Sequence, residues 1–102
     1  MAKKVNWTFP AMEMLSNVFE YIAEFNEFRA EDYIEKIFAF CENFAIFPES
    51  NPICRFISLQ SKGYRCAIFD KQYIIVYRVS QRIDVLAIIH SSQSPEIFDE
   101  VN

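Results

Sequence analysis

The sequence predicts an α+β domain in the order β-α-α-β-β-β-β, with a two-helix hairpin packed on one face of an antiparallel sheet. Three observations carry this reading. Up to Pro48, apolar residues recur at steps of three and four. Beyond it they alternate, or run in short β-branched blocks separated by turn residues. The charge reverses at the same point. Residues 9–47 hold eight acids against two bases, a balance of −6, and residues 55–82 hold six bases against one acid, a balance of +5. The formal net charge of −4 therefore conceals a dipolar chain, and a partner meets its two halves separately.

The elements follow in order. Lys3 to Thr8 reads as a short strand with Val5 and Trp7 on one face. Thr8 or Phe9 caps a first helix, and Pro10 falls in its first turn, where a missing N–H costs little. Ala11, Leu15, Val18, Ile22 and Phe25 make its apolar stripe. Asn26 stops that helix and caps a second, whose broad apolar face carries Ala30, Tyr33, Ile34, Ile37, Phe38, Cys41, Phe44 and Ala45. Pro48 ends it, and the short link makes the two helices an antiparallel hairpin.

Glu49 to Pro52 is a loop and Arg55 to Leu59 a weak strand. Ser61-Lys62-Gly63 turns the chain, with Gly63 free to take positive φ. Tyr64 to Phe69, Tyr73 to Val79 and Ile83 to His90 then form an antiparallel meander, because Asp70-Lys71-Gln72 and Ser80-Gln81 are too short for any other connection. With the first strand this makes a five-stranded sheet. The tail 91–102 has no clear period. A short helical turn through Glu96, Ile97, Phe98 and Val101 and a mobile segment are both open.

Composition narrows the function. The 102 residues suit one domain covering 1–102, and 52% hydrophobic residues exclude a disordered chain. A single glycine excludes a glycine-rich phosphate loop. No apolar run approaches the ~18 residues a membrane span needs. Met1-Ala2-Lys3-Lys4 leads into Val5-Asn6-Trp7-Thr8, not into a secretory signal, so a cytoplasmic location is expected. Three cysteines without a signal argue against a disulfide framework, and Cys41, Cys54 and Cys66 read as small buried hydrophobes. Their spacings to one another and to His90 are not those of a zinc site, so no metal and no cofactor is expected.

Several stretches stand out for their order and spacing. Val5-Asn6-Trp7-Thr8 leads to Ala11, and Leu15, Val18, Tyr21-Ile22 and Ala30 follow. Phe47-Pro48, Gly63-Tyr64-Arg65, Tyr73 to Val79, and Val85-Leu86 through Ile88 to His90 complete the set. Together they resemble the ParE/RelE superfamily of type II toxin–antitoxin toxins. The likeness covers roughly residues 5–90. It implies a toxin silenced by an antitoxin that wraps it. The RelE-like branch cuts messenger RNA on the ribosome with basic residues of the sheet. The ParE-like branch is known for poisoning DNA gyrase without hydrolysis of its own. Details favour the ParE-like side. Ile74 stands where several RNA-cutting members place an arginine, and it offers no charge to a phosphoryl transition state. Arg65 after Gly63-Tyr64 follows the ParE-like pattern. Gln93, where many ParE-like members have an arginine, and the acidic tail of Glu96, Asp99 and Glu100 depart from it. They leave an inactive member serving as an interaction module as a third reading.

The candidate partner-binding residues are Arg55, Lys62, Arg65 and Arg78, on the basic strands. Arg65 has a second reading, pairing with an acid of the helices. Tyr73 and Tyr77 read as one wall of the core. Were the chain an RNase, His90, Arg65 and Glu49 would be its catalytic set, with His90 as acid and Glu49 as base. The expected partner is a cognate antitoxin whose acidic, amphipathic segment meets the basic sheet face, by strand addition or helix-in-groove docking. DNA gyrase is a further partner implied by the resemblance, and a homodimer stays open. Direct nucleic-acid binding is not expected, because −6 on the helices opposes it and +5 limits the salt slope to roughly −3.5.

Overall fold

The structure, a computed structural model, describes residues 3–54 and 62–92. The expected strand Arg55 to Leu59 and the terminal turn lie outside the described residues. The elements are β1 (Val5–Trp7), α1 (Phe9–Ala23), α2 (Glu27–Ile46), β2 (Arg65–Phe69), β3 (Tyr73–Val79) and β4 (Ile83–His90).

Both helix starts obey their capping residues. The Thr8 hydroxyl accepts the Ala11 N–H at 3.4 Å and itself donates to the Val85 carbonyl at 2.8 Å. The α1 cap is thereby tied to β4. Asn26 caps α2 by accepting the Arg29 N–H at 3.1 Å. The residues buried on the hairpin are Ala11, Leu15 and Val18 from α1, and Ala30, Ile37, Cys41, Phe44 and Ala45 from α2. Phe25, the last of the expected α1 stripe, lies past the helix end and is exposed.

The sheet has the order β1-β4-β3-β2. β2, β3 and β4 form the expected antiparallel meander. β1 joins β4 in parallel, so the sheet is mixed. No short turn links these two strands, and the whole helical hairpin and meander intervene, so nothing forces them antiparallel. Gly63 takes the left-handed φ of 71°. With no second glycine in the chain, Asp70 and Lys71 adopt φ of 54° and 58° in the β2–β3 turn, closed by the Gln72 N–H on the Phe69 carbonyl at 3.1 Å. Aspartate tolerates that region better than lysine does.

Register decides which side chains face the helices. Val76 lies opposite Ala87 and Tyr77 opposite Val85, so Leu86 is an extra residue, a bulge in β4. The bulge reverses parity along β4. Val85 and Ile83 join the helix-side core before it, and Ile88 joins after it. That core also takes Ala67, Tyr73, Ile75 and Tyr77, with the Phe44 and Tyr77 rings stacked at 4.1 Å. Tyr73 and Tyr77 are thus core residues, as expected. The opposite face carries a smaller cluster of Cys54, Val76 and Ala87, flanked by Tyr64, Cys66, Ile74 and Leu86.

The expectation for the cysteines is overturned. Cys54 and Cys66 are joined by a disulfide. The cause is a local pairing that the spacing does not reveal. Ile53 bridges Arg65, the Cys54 N–H donates to the Tyr64 carbonyl, and the Cys66 N–H donates to the Pro52 carbonyl. This antiparallel contact sets both cysteines on one face as diagonal neighbours. Cys41 alone behaves as predicted: it is a free, buried thiol, which burial pushes up to about 12.

Candidate partner-binding surface

The end of the sheet at the β3–β4 turn is organised around one buried carboxylate. Asp84 sits opposite Arg78 on β3 and beside Asn6 on β1. Its Oδ2 accepts from Arg78 at 2.7 Å, and its Oδ1 accepts from Arg82 at 2.9 Å and from the Asn6 amide at 3.0 Å. The hydrogen bond from Arg78 holds the Asp84 carboxyl below the usual carboxylate range, against the opposing effect of burial. Both guanidiniums remain about half exposed at their outer edges. The Lys3 ammonium is fixed on the Ser80 carbonyl of the same turn at 2.8 Å, and Lys62 lies over the Tyr64 ring at 5.8 Å. The result is a basic rim whose arginines are oriented from below, a geometry that suits carboxylates of a partner chain.

Arg65 does something different. It shares a face with its cross-strand neighbour Tyr77, on the helix side of the sheet, and donates to the Asn51 carbonyl at 2.6 Å. The Tyr77 hydroxyl donates to the Pro48 carbonyl at 2.9 Å and accepts from the Asn51 amide at 3.2 Å. Arg65 and Tyr77 together therefore pin the loop that follows α2. No acid of the helices pairs with Arg65 among the described residues. Arg78 has the opposite parity, so Arg65 and Arg78 do not share a face. Arg55 lies outside the described residues.

The residues of the hypothetical RNase set are also dispersed. His90 pairs with Tyr73 and packs edge-on against its ring at 5.3 Å. Its Nδ1 accepts the Ser92 N–H at 3.1 Å and lies 2.7 Å from the Ser92 hydroxyl. Glu49 is exposed in the loop pinned by Tyr77, at the other end of β3. Tyr77 lies four residue steps along the strand from Tyr73, which is about 13 Å. No group of three metal-ligating side chains is assembled among the described residues, and no helix there is long and apolar enough to cross a membrane.

The sequence reading missed Asp84, Asn6 and Arg82. The available signal was an acid set within an otherwise apolar strand, Ile83-Asp84-Val85-Leu86-Ala87, with arginines close by. A charge there must be paired to be buried.

Comparison with known proteins agrees with this fold. The family profile described as the ParE toxin of the type II toxin–antitoxin system parDE matches residues 5–95. The chain belongs to the ParE toxin family. A curated relative of this ParE chain, named "Putative toxin Y4kP", comes from Sinorhizobium fredii (strain NBRC 101917 / NGR234). It is 26% identical over 91 residues, covering 89% of this chain and 91% of that protein. A solved structure titled as the chromosomal ParDE TA system from P. aeruginosa superposes with a TM-score of 0.71. Its identity is 15%, covering 87% of this chain and 96% of that one. At that identity the likeness speaks to the fold.

Proposed function

We propose that this ParE-family chain is the toxin of a type II pair, that it acts by gripping another polypeptide, and that a cognate antitoxin neutralises it. The observation that carries the reading is the family match over residues 5–95. Its target, by family resemblance, is DNA gyrase. The dispersal of His90 and Glu49 supports binding over RNA cleavage, since general acid–base chemistry needs its two groups within reach of one substrate. The basic rim of Arg78 and Arg82, oriented by Asp84 and joined by Lys62, receives acidic side chains of the antitoxin. Arg65 serves that surface indirectly, by holding the loop after α2.

Induced expression tests the reading. The toxin function predicts growth arrest, relieved by co-expression of an adjacent small acidic protein, with gyrase supercoiling inhibited and messenger RNA intact. Fragmented messenger RNA with normal supercoiling would move the chain to the RNA-cutting branch. Normal growth with both readouts unchanged would leave an interaction module.

A further inference from the structure

The disulfide and the basic rim meet at Tyr64. Cys66 lies opposite Val76 on the sheet face away from the helices, and Arg78 stands two residues further along that face of β3. Extending the β2–β3 register by one residue brings Tyr64 opposite Arg78. The Arg78 guanidinium is held above its ordinary pKa first by the hydrogen bond to Asp84, against burial, and further by the charge and hydrogen bond of the Tyr64 hydroxyl. Lys62 lies over the ring of the same tyrosine at 5.8 Å. Tyr64 is in turn held from the Cys54 side. Its carbonyl accepts the Cys54 N–H at 2.8 Å, and both residues pack in the small cluster around Val76 and Ala87. The segment carrying Cys54 meets β2 through an isolated bridge, Ile53 to Arg65, so the sulfur bond is the covalent tie that keeps it beside Tyr64.

The pair is also suited to thiol exchange. Cys54 is only 1% exposed, whereas Cys66 is half-buried, so an incoming thiolate reaches the Cys66 sulfur. Cys41 does not compete. It lies in the helix-side core, across the sheet from the pair, and burial pushes its thiol up to about 12.

We propose that Cys54–Cys66 is a thiol-controlled switch of the basic rim: closed, it fixes Tyr64 against Arg78 and Lys62 and the rim grips acidic side chains; opened by a dithiol reductant, it loosens that grip. The proposal rests on the reading of the rim as a surface for carboxylates. In the opening step, one thiolate of the dithiol attacks the Cys66 sulfur. The sulfur–sulfur bond breaks, and its electron pair leaves on Cys54, which takes a proton. The second thiolate of the dithiol then attacks the reductant's own sulfur in the mixed disulfide. Cys66 leaves as a thiolate and takes the second proton. Two electrons and two protons have passed to the protein, and the dithiol has become a disulfide. The reverse exchange, with a disulfide of that class, closes the bond again.

The probe is a fluorescein-labelled peptide of about 12 residues alternating glutamate and serine, with a lysine-for-glutamate control, at low salt where charge pairing is least screened. Anisotropy is read on the full chain, oxidised and after dithiothreitol. The oxidised chain should bind the glutamate peptide about tenfold more tightly than the reduced chain, and the control not at all. C54S/C66S should bind like the reduced chain and ignore dithiothreitol. Tyr64→Phe keeps the ring and removes the hydroxyl, so it should weaken the oxidised chain about threefold and narrow the redox ratio. R78Q/R82Q should abolish binding in both states. Alkylation and mass spectrometry of the reduced chain should find Cys54 and Cys66 modified and Cys41 protected. Binding lost in R78Q/R82Q but equal in the two redox states overturns the switch and leaves the rim reading intact. Binding that survives R78Q/R82Q, or no binding at all, overturns the rim reading and the switch with it. An unchanged redox ratio in Tyr64→Phe, or modification of all three cysteines, which marks global unfolding, overturns the switch alone.

Discussion

The two faces of the sheet are built by different means. Towards the helices, β3 presents Tyr73, Ile75 and Tyr77 to a broad core in which shape does most of the holding. On the other face, one residue along the same strand, Val76 belongs to a much smaller cluster supplemented by a disulfide and by the Asp84 ion pairs. Where a thin layer cannot bury enough apolar surface, covalent and electrostatic cross-links stand in. The face held in that way also leaves its arginines half exposed, available to a partner.

Substitutions on either side of β3 put this difference to the test. Ile75→Ala opens a cavity in the large core and is expected to cost about 4 kcal/mol in denaturant unfolding. Val76→Ala, on the opposite face, removes less volume beside a smaller cluster and is expected to cost about 2 kcal/mol. Equal losses would mean that the two faces contribute alike.

Reduction of Cys54–Cys66, or the double change C54S/C66S, frees the ring of residues between them and is expected to cost about 3 kcal/mol. In a chain of this length that corresponds to a fall in Tm of roughly 15 °C, readable by calorimetry with and without reductant. Ile75→Ala and the double change should be nearly additive if the faces are independent.

Asp84→Asn removes the shared acceptor charge of Arg78 and Arg82 and is expected to cost about 2 kcal/mol at neutral pH. The folded carboxyl titrates below its unfolded value of about 3.9, so its contribution is complete above that pH and is lost as pH falls through the folded value. Acid titration of stability should show wild type and D84N converging below about pH 4. Parallel curves would remove Asp84 from the account. The smallest effect is expected from Thr8→Ala, about 1 kcal/mol, for the lost cap of α1.

The contrast between faces also explains what the sequence made legible. Helices announce themselves through caps and period, so Thr8, Asn26 and Pro48 mark the hairpin closely. The helix side of β3 reads from the alternation of Tyr73, Ile75 and Tyr77. The opposite face does not, because its features depend on cross-strand neighbours. The disulfide follows from the pairing of Ile53 with Arg65, and the ion pairs follow from Arg78 lying opposite Asp84. The bulge was hidden for a related reason: Val85-Leu86-Ala87-Ile88-Ile89 is apolar throughout, so no polar residue betrays the change of parity. The sequence leaves Arg65 either a partner surface or an acid of the helices, and its position opposite Tyr77 instead turns it to the Asn51 carbonyl of the loop after α2.

A gyrase supercoiling assay with the purified chain, run beside messenger-RNA integrity in induced cells, tests the functional account most directly. Supercoiling should fall as the chain is added and recover when the antitoxin is supplied, while transcripts stay whole. Undiminished supercoiling accompanied by cleaved transcripts would contradict a toxin that works by binding.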